Sequence, residues 1–238
     1  MAKPLEGQIA LVTGASRGIG AATAEALALA GAHVIITART GKDLEAVEDR
    51  IHEAGGNATI APLDLTDAES IGRLALAVSD RWLKLDLLVL NAAMLGTLGP
   101  VQHINAAQFA QIFTLNVSAQ QAMIAAFDPL LRRSGNGRII GVTSSVGRSP
   151  RAYWGAYGGS KAAFETLLDA YAEENRNIGR IKIAIVDPGA TRTKMRALAY
   201  PGEDPSSVKE PEVVADRIAH LATAGFETGH RESVNPVP

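Results

Sequence analysis

The feature that most constrains this chain is a steady alternation of short apolar runs with longer helical patterns. Apolar runs closed by turn signals lie at 9–12, 34–37, 59–63, 87–90, 138–143 and 181–186. Between them, apolar residues recur at helical spacing over 21–30, 42–54, 68–82, 106–131 and 156–176. Near-continuous apolar strands are what a parallel sheet requires, because helices cover both of its faces. With right-handed crossovers, this order predicts a doubly wound α/β fold, a three-layer α/β/α arrangement around one parallel sheet. Past Pro188 the pattern loosens, and 189–211 is rich in Pro, Gly, Ser and charge. A helix is expected over 211–224 and a short strand near 231–234. The sequence thus reads as a single domain over 1–238, with 190–207 as a candidate substrate lid.

Composition narrows the partners. The net charge is −2 and no long run of like charge occurs, which argues against nucleic acid or an anionic membrane as a partner. There is no cysteine, so disulfides and thiolate metal sites are excluded. The five histidines are scattered without the spacing of a metal motif, and no metal is expected. Residues 1–7 are polar and no long apolar span follows, so the expected location is cytoplasmic.

The first strand runs into Thr13-Gly14-Ala15-Ser16-Arg17-Gly18-Ile19-Gly20. Glycines there permit a sharp turn and close approach of the backbone to a pyrophosphate, which the N-terminus of the next helix attracts. The spacing departs from G-x-G-x-x-G, and a turn needing glycines for geometry alone fits as well. The second strand ends Thr37-Ala38-Arg39, without the acid that commonly binds the ribose hydroxyls of NAD. Arg39 and Arg17 could instead clamp a 2′-phosphate, so NADP(H) is expected over NAD(H). The plainer alternative is two solvated arginines.

Tyr157 and Lys161 are four residues apart and share a helix face. Lowering a phenol pKa from near 10 toward 7 takes about 4 kcal/mol, which a cation near 4 Å supplies at an effective dielectric near 20. Ser144 lies thirteen residues before Tyr157, at the end of the fifth strand, where doubly wound folds bind ligands. It could donate to a substrate carbonyl or simply close the strand. Asn116 shares a stripe with Phe109, Ile112 and Phe113 and must find polar partners there, structural or functional.

Taken together, these residues resemble the short-chain dehydrogenase/reductase family in its single-domain, Rossmann-type branch. The matching residues are Thr13-Gly14-xxx-Gly18-Ile19-Gly20, Asp64, Asn91-Ala92, Asn116, Ser144, Tyr157-xxx-Lys161 and Pro188-Gly189-xxx-Thr193, nearly the whole chain in family order. The resemblance implies an oxidoreductase moving hydride between NADP(H) and a small carbonyl or alcohol substrate. Tyr157 would be the general acid/base, Lys161 would hold the nicotinamide ribose and lower the phenol pKa, and Ser144 would orient the substrate oxygen. Asn116 would anchor a relay water. Gly14, Ser16, Arg17, Gly18, Ile19 and Gly20 would hold the phosphates, with Arg39 beside them. Asp64 and Leu65 would meet the adenine edge, and Asn91 and Ala92 the adenosine ribose region. Pro188, Gly189, Thr191 and Thr193 would border the carboxamide. It also implies a homodimer or homotetramer paired through the long helices.

The family pattern Asn-Asn-Ala-Gly is here Leu90-Asn91-Ala92-Ala93, which puts the local backbone in question. Met94, Tyr153, Trp154 and Met195 are candidates for an apolar pocket, and Arg148 and Arg151 for contacts with an anionic substrate, or else for ordinary packing and solvated charge. A non-catalytic dinucleotide-binding regulator or scaffold of the same fold is the alternative, though it would be expected to have lost Tyr157 or Lys161. A methyltransferase has no need of the Ser-Tyr-Lys set, and a P-loop hydrolase would need Gly-Lys-Ser/Thr where Gly20 is followed by Ala21.

Overall fold

A computed structural model describes residues 2–234. Residues 1 and 235–238, which the single-domain expectation includes, lie outside the described residues. Seven strands form one sheet: Ile9–Thr13 (β1), His33–Ala38 (β2), Asn57–Pro62 (β3), Leu87–Leu90 (β4), Gly137–Val142 (β5), Ile181–Asp187 (β6) and His230–Ser233 (β7). Their order is β3-β2-β1-β4-β5-β6-β7, and every neighbouring pair is parallel. The helices are Gly18–Leu29 (α1), Gly41–Glu53 (α2), Ala68–Trp82 (α3), Ala106–Phe113 (α4), Ala119–Ser134 (α5), Gly155–Arg176 (α6), Lys194–Ala199 (α7) and Pro211–Ala224 (α8).

Both faces of the sheet are covered, so its strands carry apolar residues on both sides. Ala10 and Val12 of β1 pack in one cluster with Leu27 of α1 and Ile218 of α8. Ile9 and Leu11 point the other way, into a second cluster with Ile71 of α3, Phe127 of α5 and Phe164 of α6. The period-two alternation thus feeds two cores at once. On β5, a side chain at Gly141 would overlap Leu168 of α6, so that glycine lets α6 lie close on the strand. The chain order reverses between β1 and β4, and such a switch point opens a crevice beyond the strands' C-terminal ends.

Two expectations need correction. The single helix expected over 106–131 is three pieces: α4, a π-helical turn at Thr114–Ser118, and α5, which runs to Ser134. The wide turn changes the helical phase, and Asn116 within it is buried and bonded to the backbone of Met94. The loose region 189–211 is also more ordered than its composition predicts. Thr193 caps α7 by accepting from the Arg196 amide at 3.1 Å, and a short 3-10 turn follows at Pro205–Ser207.

Candidate active site

At the switch point lies a cleft of about 1160 Å³. Gly14, Ser16, Arg17, Gly18, Ile19 and Gly20 form one wall. The turn is tied to β4 by Thr13, whose hydroxyl donates to Val89 O (3.2 Å) and accepts from the amides of Asn91 and Ala92 (both 3.0 Å). The Asn91 side-chain Nδ2 donates to the carbonyls of Thr13 (2.9 Å) and Gly14 (3.3 Å). Gly14 has φ +64°, and a Cβ there would come within 2.9 Å of the Ala92 Cα. A Cβ at Gly20 would overlap the Gly14 carbonyl oxygen, so the cradle exists only without side chains at both positions. α1 begins at Gly18 with no side-chain cap and no acid in its first turn, leaving its positive end facing the cleft.

Arg39, Asp64 and Leu65 border the cleft further along. Asp64 accepts from the Thr66 amide (2.9 Å) and hydroxyl (2.8 Å), and these bonds, with Arg39 nearby, hold its carboxyl below the usual range. Arg17 and Arg39 are exposed and form no ion pair among the described residues. Asp43, in the first turn of α2, is a bordering acid that sequence reasoning passed over. Leu90 is buried in the second core cluster, so the departure there replaces an amide with packing and leaves Asn91 to hold the turn.

The opposite wall carries Ser144, Tyr157 and Lys161 together with Pro188, Gly189, Thr191 and Thr193. The Lys161 ammonium donates to Val142 O at 2.9 Å and lies 5.9 Å from the Tyr157 ring centre. Its pKa is drawn down to about 8 by burial, with Glu165 pulling it back up. Groups other than Lys161 also act on the Tyr157 phenol. Burial, then the negative charge of Asp187, raise its pKa above the ordinary 10, while the Ser144 side chain opposes them. Desolvation disfavours a phenolate in a site made of protein groups alone.

Asn116 does not line the cleft. Its amide oxygen accepts from Met94 N (2.9 Å), and its nitrogen donates to Met94 O (2.9 Å) and to the Ser160 hydroxyl (3.0 Å). Ser160 in turn donates to the Tyr157 carbonyl at 2.7 Å, so Asn116 braces the first turn of α6. Met94, Trp154 and Met195 line the cleft, and Trp154 meets the Tyr157 ring edge-on at 5.9 Å. Tyr153 is 61% exposed and lies outside the lining. Arg148 and Arg151 also lie outside it: Arg148 pairs with Glu165 and Asp187, and Arg151 reaches Tyr200 and Ser145. Sequence reasoning missed Gln120, which is buried and donates to Ala92 O (3.0 Å) and Leu115 O (2.9 Å). It also missed Glu165; each of the two follows a singled-out residue by four along a helix, a readable signal.

A parallel sheet with a glycine-lined cleft at its switch point is the layout of nicotinamide-dependent α/β oxidoreductases. Residues 8–204 match the family model for short chain dehydrogenases, and the chain belongs to that family of NAD(P)-dependent dehydrogenases and reductases. The Escherichia coli (strain K12) oxidoreductase YciK is 37% identical over 210 residues, covering 87% of this chain and 82% of that protein. A short chain dehydrogenase structure from Pseudomonas syringae superposes with a TM-score of 0.95 at 38% identity, covering 99% of this chain and 97% of that one. One from Shigella flexneri 2a, a complex with NADP, gives 0.94 at 34% identity, covering 99% and 100%. Among the described residues no helix is long and apolar enough to cross a membrane.

Proposed function

We propose that this oxidoreductase moves hydride between NADP(H), in preference to NAD(H), and a small carbonyl or alcohol substrate, with Tyr157 as the general acid/base. The observation that carries the reading is the convergence of Ser144, Tyr157 and Lys161 on one wall of a cleft whose other wall is the glycine cradle. The cradle suits a dinucleotide: its glycines leave room for a pyrophosphate, and the uncapped end of α1 offers N–H donors. Arg17 and Arg39 would hold the 2′-phosphate, two guanidiniums outside any ion pair among the described residues, with the carboxylates of Asp43 and Asp64 bordering the same stretch of cleft. Asp64 and Leu65 would hold the adenine end, and Asn91 and Ala92 the adenosine ribose. Pro188, Gly189, Thr191 and Thr193 would hold the nicotinamide end, and Lys161 its ribose. When bound, the nicotinamide supplies or accepts the hydride.

Ser144 donates to the substrate oxygen, and Tyr157 passes its proton to that oxygen during reduction and takes it back during oxidation. A phenol is protonated at neutral pH, the form a proton donor needs in the reductive direction. The Lys161 ammonium, fixed on Val142 O, stabilises the negative charge left on the phenol. Asn116 acts by position, because its amide is already committed to Met94 and Ser160. The substrate body would lie against Met94, Trp154 and Met195. The segment 190–207 covers it as a lid, closed at its base by pairing of Thr191 with Lys209 and of Arg192 with Glu210. Phe109 is 40% exposed on α4 and stacks on Phe113, an apolar face that supports self-association.

A screen of aldehydes, ketones and quinones with NADPH, followed at the nicotinamide absorbance, identifies the substrate. On that substrate, Tyr157→Phe is expected to lower kcat by about a hundredfold or more, with NADPH affinity preserved. Turnover equal to wild type would overturn the assignment.

A further inference from the structure

Glu165 sits one turn beyond Lys161 on α6, is 4% exposed, and takes no part in lining the cleft. Thr143, the neighbour of Ser144, donates its hydroxyl to one carboxylate oxygen at 2.6 Å. Arg231 of β7 donates to the other at 2.8 Å, and the Arg148 Nε lies 3.4 Å from that same oxygen. Both guanidiniums are shared: Arg148 reaches Asp187 at 3.6 Å, and Arg231 pairs with Asp169 at 2.5 Å. The bonded cluster therefore holds the carboxylates of Glu165, Asp169 and Asp187 against the guanidiniums of Arg148 and Arg231. Lys161, buried one turn before Glu165 on the same helix, supplies a third positive charge without a direct ion pair to that carboxylate, its ammonium being bonded to Val142 O.

Within this cluster Glu165 and Asp187 are buried, and desolvation of their carboxylates offsets much of what the ion pairs contribute to stability. What a buried carboxylate does reliably is set the field at its neighbours. We propose that Glu165 is a positioning residue of the hydride-transfer site, holding Lys161 as the ammonium and anchoring the end of β5 that presents Ser144. The inference rests on the Tyr157–Lys161 reading above.

The pull of Glu165 on the Lys161 ammonium, against burial, agrees with this. The other groups around the pair are accounted for. From α6 come Tyr157 and Asp169; Arg148 follows the 3-10 turn Ser145–Gly147; Asp187 ends β6, and Arg231 lies on β7. Lys209 feels Asp187, but its ammonium is turned to Ala190 O at 2.8 Å. The π turn and α4, which also pack on α6, carry no charged side chain.

The test is an NMR titration of lysine side chains in the full chain, with the Lys161 signal assigned by its loss in Lys161→Met. The wild-type signal should titrate near the value of about 8. A unit charge one helical turn away, at an effective dielectric near 20, shifts a pKa by on the order of one unit. Glu165→Gln should therefore lower the Lys161 midpoint by about that much, and Glu165→Asp, which keeps the charge, should restore most of it. Arg148→Gln removes a half-exposed positive charge from the same cluster and should raise the midpoint; it decides the matter if Glu165→Gln does not fold. Midpoints unmoved in the folded variants would reduce Glu165 to a structural ion pair and overturn the proposal. Full turnover in Lys161→Met would instead defeat the underlying catalytic reading, so the two failures are distinguishable.

Discussion

Replacing Lys161 with Met should make the folded chain more stable at neutral pH and not at alkaline pH. Lys161 is 3% exposed, and burial draws its pKa from 10.5 to about 8. A folded-state pKa below the unfolded one means the unfolded chain binds more protons between those values, so this lysine's contribution to stability improves as pH rises. Below pH 8 the ammonium costs the fold about 3 kcal/mol, and by pH 10 the cost has shrunk to about 1 kcal/mol. Met keeps the aliphatic length but leaves Val142 O without its 2.9 Å donor, a loss of about 1 kcal/mol at either pH. The expected net gain is about 2 kcal/mol at pH 7, and nothing measurable at pH 10. Urea unfolding followed by the fluorescence of Trp82 and Trp154 would measure it, with wild type and variant compared at each pH so that other titrating groups cancel. A variant-minus-wild-type difference that is the same at both pH values would refute the reasoning, because the ammonium would then not be bearing a desolvation cost.

Two further outcomes are expected. Arg39→Ala should weaken NADPH binding by about tenfold or more while leaving NADH binding nearly unchanged, since a charge-assisted hydrogen bond is worth about 1.5–3 kcal/mol; nicotinamide fluorescence titration checks this, and equal losses for both cofactors would reject the clamp. Light scattering at micromolar concentration should give the mass of a dimer or tetramer, and a clean 24.9 kDa species would reject self-association.

Much of the site was legible because it is written in local geometry. The glycine turn, the Tyr157–Lys161 spacing and Ser144 at a strand end are short-range patterns, and all three reach the same cleft because parallel strands deliver their C-terminal ends to one edge. Arg148 was not legible in the same way. Nothing in its neighbours along the chain points to Glu165 or Asp187, and it pairs with them instead of facing a substrate. The π turn at Asn116 was hidden for a related reason: its residues fit an ordinary helix by periodicity, and only the demand of a buried amide for Met94 and Ser160 is met by the wider turn.

The sequence by itself determined the alternation of strands and helices, the turn that must be glycine, and the helix face shared by phenol and ammonium, because each depends on backbone sterics and residue spacing. Tertiary structure alone decided which charges meet around Glu165, and it adds burial and the charge of Asp187 as upward pulls on the phenol that residue spacing does not show. Desolvation and long-range Coulomb effects depend on what surrounds a group in space, and Asp187 and Arg231 reach α6 from strands far along the chain.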